Sequence, residues 1–296
     1  MWFENLPAVE LARRLRTVPL FRFASVDELF RIAGVGRQLR HESGRTLFEE
    51  GAPAEEMLLL LEGKWVLERR DGAVHQVEPP AVLGLEEILE ASAFRETARS
   101  VGGSISLTLS AEEFRALLSD NIELVQGLFR MLLGSRPGNG WPLILKLAVE
   151  VPSAAPSPLD GLAKGLLLQE LPIFSRATAE ELLRVAAVAR EVPLTQGNVL
   201  RGDNDAASLE IVLSGEVALE QDGSELRAVA GDALGVYQAL AGEGLGRAAR
   251  ILTAGRALRI DHQDLFGLLA DDLELLQGLF RSLFRARAGS TGAQPR

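Results

Sequence analysis

The segment from Leu118 reads LSDNIELVQGLFRMLL, and the segment from Leu269 reads LADDLELLQGLFRSLF. Two further strings repeat at nearly the same offset. VPLFRFASVDELFRIA from Val18 aligns with LPIFSRATAEELLRVA from Leu171, and GAPAEEMLLLLEGKWVLERRDG from Gly51 aligns with GDNDAASLEIVLSGEVALEQDG from Gly202. Order and spacing hold within one or two residues over about 125 positions of each copy, which marks a duplicated module. A chain of this length suggests about two domains, and each half is long enough to close its own core. The repeat places a first module at 1–134, a joint at 135–156, a second module at 157–286 and a flexible tail at 287–296. The joint, GSRPGNGWPLILKLAVEVPSAAPSP, is rich in Pro, Gly and Ser at both ends, and its apolar middle reads as a packed connector.

Both copies share one internal order. A Pro-led helix comes first, LPAVELARRL or SPLDGLAKGLL. A second helix begins at an N-cap, Ser25 or Thr178, with acids in its first turn. Short alternating segments bounded by Gly and Asp, such as KWVLERRDG and EVALEQDG, read as strands and tight turns. One amphipathic helix closes each copy, AEEFRALLSDNIELVQGLFRMLL or HQDLFGLLADDLELLQGLFRSLF. The fold expected is mainly β with flanking α: two tandem β-rolls, jelly-roll-like, each with helices at both ends.

Composition removes several function classes. The net charge of −10 argues against a broad nucleic-acid-binding face. With no cysteine there are no disulfides, thiolate catalysis or Cys-based zinc sites. His41, His75 and His262 fall in different elements at no metal-like spacing, so a metal site is not expected. The carboxylate pairs Glu49-Glu50, Glu55-Glu56 and Asp271-Asp272 read as solvated edges rather than facing catalytic acids. The serines lack a nucleophile-elbow context, so the chain is not expected to be an enzyme. The opening MWFENLPAVELARRL lacks the apolar centre of a signal peptide, and the longest apolar runs are broken by charge, which points to a cytoplasmic protein.

The framework residues resemble the cyclic-nucleotide-binding domain family, the β-roll module of catabolite-activator-type regulators and of protein kinase A regulatory subunits. The resemblance is carried by Pro19-Leu20-Phe21 and Pro172-Ile173-Phe174, by Gly44, Gly51, Gly63 and Val66, and by Gly197, Gly202, Gly215 and Val217. It implies a tandem-repeat signalling protein of the regulatory-subunit kind. It also implies a ligand cassette of the form F-G-E-x-x-L…R-[ST]-A, in which the Glu accepts a ribose hydroxyl and the Arg pairs with the cyclic phosphate.

Both cassettes depart from that pattern. In the first copy Gly84 is followed by Leu85, and the Arg step is stretched to Arg95-Glu96-Thr97-Ala98. Either Arg95 serves from a shifted position or Glu96 stands in its place, and an acid there repels a phosphate. In the second copy, LGVYQALAGEGLGRAAR, Gly235 is followed by Val236, yet Arg247-Ala248-Ala249 keeps the phosphate half. Gly242, Gly244 and Gly246 form either an anion cradle or a loop that has lost its short helix. A missing ribose acceptor costs roughly 1–3 kcal/mol, which weakens binding without abolishing it.

Two readings follow. In the first, the chain is a non-enzymatic regulatory or scaffold protein with degenerate ligand cassettes that acts through protein–protein interaction. In the second, it is a sensor of cAMP or cGMP that binds in the second module through Arg247, and there is no other cofactor. A protein partner or self-association is expected to carry the output, with no nucleic acid and no membrane span. Only RARAGSTGAQPR follows the second copy, which leaves no room there for a helix-turn-helix. The stripes Leu124, Phe129, Leu132 and Leu275, Phe280, Leu283 of the closing helices either pack on their own rolls or extend into a seam for a partner. Trp2 and Phe3 are expected to cap the first helix.

Overall fold

The computed structural model describes residues 5–22, 24–134, 141–147, 158–202, 206–221, 224–245 and 247–291. Trp2 and Phe3 lie outside them. The chain divides into two compact units, Met1–Leu128 and Phe129–Arg296.

The first unit opens with α1 (Ala8–Leu15), a 3-10 turn at Pro19–Phe21 and α2 (Val26–Val35). Ser25 caps α2 as expected. Its Oγ accepts from the Glu28 N–H at 3.3 Å, and Glu28 accepts in return from the Ser25 N–H at 2.5 Å. The strands are β1 (Arg37–His41), β2 (Thr46–Phe48), β3 (Glu56–Glu68), β4 (Val74–Val77), β5 (Ala81–Leu83) and β6 (Thr97–Ser110), with α3 (Leu85–Glu90) between the last two. All pairings are antiparallel in the order β1-β6-β3-β4, with β2 against β6 and β5 against β3.

What turns a sheet into a roll is a bend in its long strands. The β3–β6 register slips on either side of Glu62, the second slip spanning Gly63, which has φ 90°. A Cβ there would lie 2.6 Å from the Gly103 carbonyl oxygen, so no other residue fits without moving backbone.

The second unit repeats this order. It comprises α6 (Gly161–Gln169), a turn at Pro172–Phe174, α7 (Ala179–Val188), β8 (Arg190–Leu194), β9 (Val199–Arg201), β10 (Ser208–Gln221), β11 (Ser224–Val229), β12 (Asp232–Leu234), α8 (Val236–Ala241) and β13 (Ala249–Asp261). Thr178 and Glu181 form the matching capping box. Gly215, φ 89°, bends β10 where Gly63 bends β3. One strand has no counterpart among the described residues of the first unit. β7 (Ile144–Lys146), from the expected joint, pairs antiparallel with β12 and extends the order to β7-β12-β10-β13-β8.

Each closing helix is two helices rather than one: α4 (Ala111–Ser119) and α5 (Ile122–Gly134), then α9 (His262–Asp271) and α10 (Leu273–Thr291). Asn121 and Asp272 make the breaks. Their Oδ1 atoms accept from the N–H groups of Leu124 and Leu275, each at 3.0 Å, and so cap the following helix. The boundary between the units falls inside α5, because from Phe129 onward its residues pack within the second unit. Phe129 stacks on Phe280 at 4.6 Å and meets Phe266 edge-on. Leu124, Phe129, Leu132, Leu275, Phe280 and Leu283 are all buried. α10 continues to Thr291, into the stretch expected to be a flexible tail. No helix among the described residues is long and apolar enough to cross a membrane.

Candidate functional site

In the first unit Gly84, φ 83°, opens α3, and a Cβ there would come within 2.8 Å of the Glu56 carbonyl oxygen. Leu85 is buried where the cassette pattern has an acid. Arg95 turns back onto α3, pairing with Glu86 at 3.4 Å and with Glu90. Glu96 accepts from Arg69 Nε at 2.8 Å and lies 3.8 Å from His75. Thr97 Oγ1 accepts from the Glu50 N–H at 3.0 Å, and Ala98 is fully buried opposite Leu67 and Phe48. Neither Arg95 nor Glu96 is left as a lone charge. Glu87, on the same short helix, has its carboxyl pushed above the usual range by burial, with Glu86 and Glu90 adding to the effect.

The centre of this roll is aromatic and aliphatic. Trp65 is fully buried with Leu58 and Leu60, packed by Leu47, Phe48, Val77, Ala81 and Leu83. Its indole N–H donates to Ser104 Oγ at 3.0 Å. His41 lies edge-on to Trp65 at 6.2 Å and is 2.8 Å from Ser106 Oγ; burial, then Arg45, pushes its pKa down.

In the second unit Gly235, φ 67°, opens α8. Its N–H donates to the Leu143 carbonyl at 2.9 Å, so the first amide of the cassette is already occupied by the connector. The short helix is present and mostly buried, and Gly242, φ 69°, terminates it as a left-handed C-cap. This corrects the alternative of a glycine loop without a helix. Gly244 is half-buried, and Gly246 lies outside the described residues.

Leu245, from the loop after α8, points inward. It is 8% exposed in one aliphatic cluster with Leu143, Val217, Leu219, Ala228, Leu234 and Ala249, so the inside of the roll is filled. Arg247 faces the rim instead. Its Nη1 donates to the Glu220 carbonyl at 2.7 Å, while its buried Nε has no partner among the described residues. Beside it lies a cleft of about 320 Å³ lined by Ala218, Leu219, Glu220, Glu225, Arg247, Ala248 and Arg250. Arg247 and Ala248 thus share one cleft, whereas Ala249 is fully buried in the sheet opposite Leu219.

Sequence reasoning missed the residues at the far end of α8. His262 Nδ1 donates to the Ala239 carbonyl at 2.7 Å and Arg130 Nε to Ala241 at 2.9 Å, satisfying the orphan carbonyls of a helix C-terminus. Burial depresses the His262 pKa, the bond to Ala239 opposes this, and repulsion from Arg130 adds to it. Among the described residues no group of three or more His, Asp or Glu side chains could hold a metal.

Residues 38–121 match the family model of the cyclic nucleotide-binding domain. The first unit therefore carries a domain of this kind, and the second repeats its element order around a second antiparallel sheet. Among solved structures, the chain is similar to the regulatory domain of Toxoplasma gondii PKA co-crystallised with cAMP (17% identity, 97% of this chain and 99% of that one, TM-score 0.38). It is also similar to the regulatory subunit of a cAMP-independent protein kinase A from Trypanosoma brucei (15% identity, 99% and 95%, TM-score 0.38). The N-terminal domain of a transcriptional regulator from Streptomyces coelicolor A3(2) shares 24% identity over 40% of this chain and 88% of that one, with TM-score 0.37. No curated protein matches the sequence.

Proposed function

We propose that this chain is a non-enzymatic regulatory or scaffold protein whose two cyclic-nucleotide-binding-like domains act through protein–protein interaction rather than through a bound nucleotide. The observation that carries this reading is the filled second roll. Leu245 and Leu143 occupy its interior, and Arg247 is turned to a carbonyl at the rim. A nucleotide entering there has to displace packed aliphatic groups, and it finds Val236 where a ribose acceptor is needed. In the first domain Trp65 fills the roll and Arg95 is neutralised by Glu86 and Glu90 of α3. Contact with other proteins is supported by exposed apolar side chains at matching positions of the two helix pairs: Val9 and Phe30 in one, Leu162 and Leu183 in the other.

A second reading has one observation in its favour. Arg247 has a buried Nε without a partner among the described residues, beside an open cleft, which suits a cAMP or cGMP phosphate in the second domain. Calorimetric titration of the chain with cAMP and with cGMP, repeated on Arg247→Ala, separates the two. No heat and no thermal shift up to millimolar nucleotide is the result expected. Micromolar binding that collapses in the variant establishes the sensor instead.

A further inference from the structure

We propose that the outer edge of β5 in the first domain is a strand-docking site. Its occupant is an extended peptide segment of a partner protein, with aliphatic residues preceded by basic ones. This inference rests on the protein-interaction reading above.

The duplication supplies the reasoning, because the same edge occurs twice in the chain. Ala81–Gly84 align with Asp232–Gly235. In the second domain that edge is covered. Asp232, Ala233 and Leu234 pair with Lys146, Leu145 and Ile144 of β7, and the Gly235 N–H is taken by Leu143. Lys146 adds contacts to Asp232 at 2.5 Å and to the Arg227 carbonyl at 2.9 Å, and all three β12 residues are buried. In the first domain β5 pairs with β3 alone, and among the described residues no strand lies along its other side. Ala81, Val82 and Leu83 are correspondingly only half-buried, and the Gly84 N–H has no hydrogen-bond partner among the described residues. Hydrogen-bonding direction alternates along an antiparallel strand, so Val82 and Gly84, like Ala233 and Gly235, present their backbone groups outward. An open edge of this kind is a template for another strand.

The chemistry beside the edge selects the occupant. α8 carries no charged residue, and the connector meets it with Trp141, whose ring lies 4.3 Å from that of Tyr237. α3 carries Glu86, Glu87 and Glu90, with Arg95 as the cation paired to two of them. A strand running antiparallel to β5 brings its N-terminal end to α3. Cations there, where the connector has Trp141, complement the acids, and the aliphatic residues follow along Leu83 to Ala81.

The test is fluorescence anisotropy of a labelled peptide, Arg-Arg-Leu-Ile-Leu-Lys, titrated onto the full chain. Saturable binding is expected. N-methylation of the peptide backbone at its second leucine, opposite Val82, weakens it by about fivefold or more by removing one N–H donor. Val82→Pro abolishes binding; because that variant can also disturb the sheet, Glu86→Arg, a change on half-buried α3 outside the sheet, provides a second reading and weakens binding through repulsion. Absence of saturable binding at millimolar peptide overturns the proposal, as does binding indifferent to N-methylation and to both variants. Lack of peptide binding alongside lack of nucleotide binding sinks the strand site and leaves the scaffold reading standing. Nucleotide binding with peptide binding intact does the reverse.

Discussion

Leu245 packs among Leu143, Val217, Leu219, Leu234 and Ala249 at 8% exposure, so its side chain is part of the roll's aliphatic core. Leu245→Ala deletes its isopropyl group from that cluster. A buried Leu→Ala change costs about 2–5 kcal/mol, depending on how far the surroundings collapse. Leu245 sits on a loop that can settle inward, so about 2–3 kcal/mol is expected. At about 1.4 kcal/mol per factor of ten, native-state hydrogen exchange of the most protected amides in β10 and β13 accelerates roughly 30- to 150-fold. Amides of β3 and β6 in the first domain stay unchanged and act as the internal reference. An acceleration of less than about twofold in β10 and β13 refutes the reasoning, because Leu245 then contributes no buried packing and the roll has room for a ligand.

Gly215→Ala, with its Cβ 2.6 Å from the Thr253 carbonyl oxygen and φ 89°, is expected to lower the urea midpoint severely. Gly72→Ala has a similar φ of 87° but nothing within 4 Å, so it costs only the left-handed backbone strain of about 1–2 kcal/mol; equal losses would show that the close approach is immaterial. Glu87→Gln is expected to stabilise the first domain at neutral pH. Burial raises the folded-state pKa of Glu87, so the folded form binds its proton more tightly than the unfolded chain does. Stability is therefore lost as pH rises through the carboxylate range toward the raised value. The variant's gain should grow across that window and vanish below it; a pH-independent difference in Tm would contradict this origin.

Much of the architecture was legible because its signals are local. Ser25 and Thr178 announce their helices through short-range hydrogen bonds to residues three positions ahead. Gly63 and Gly215 mark the bends because only glycine tolerates both that backbone angle and that proximity to a carbonyl. The break in each closing helix was readable in principle from Asn121 and Asp272, but the apolar periodicity on either side masks it. The site was much less legible. Arg247 matched a phosphate-binding position, yet its direction depends on the Glu220 carbonyl, a partner on another strand. Leu245 carried no warning, since one leucine in a glycine-rich loop looks the same whether it faces solvent or the core.

By itself the sequence determined that this chain is one module written twice, where each module bends, where its helices begin, and that neither cassette keeps the residue expected to accept a ribose hydroxyl. Tertiary structure decided what fills each roll and which edge is covered. The connector strand lies far along the chain from the β12 edge it pairs with, and no local propensity encodes that choice. The energy of such a contact depends on what else competes for the same backbone groups and the same volume, and that competition exists only once the chain has folded.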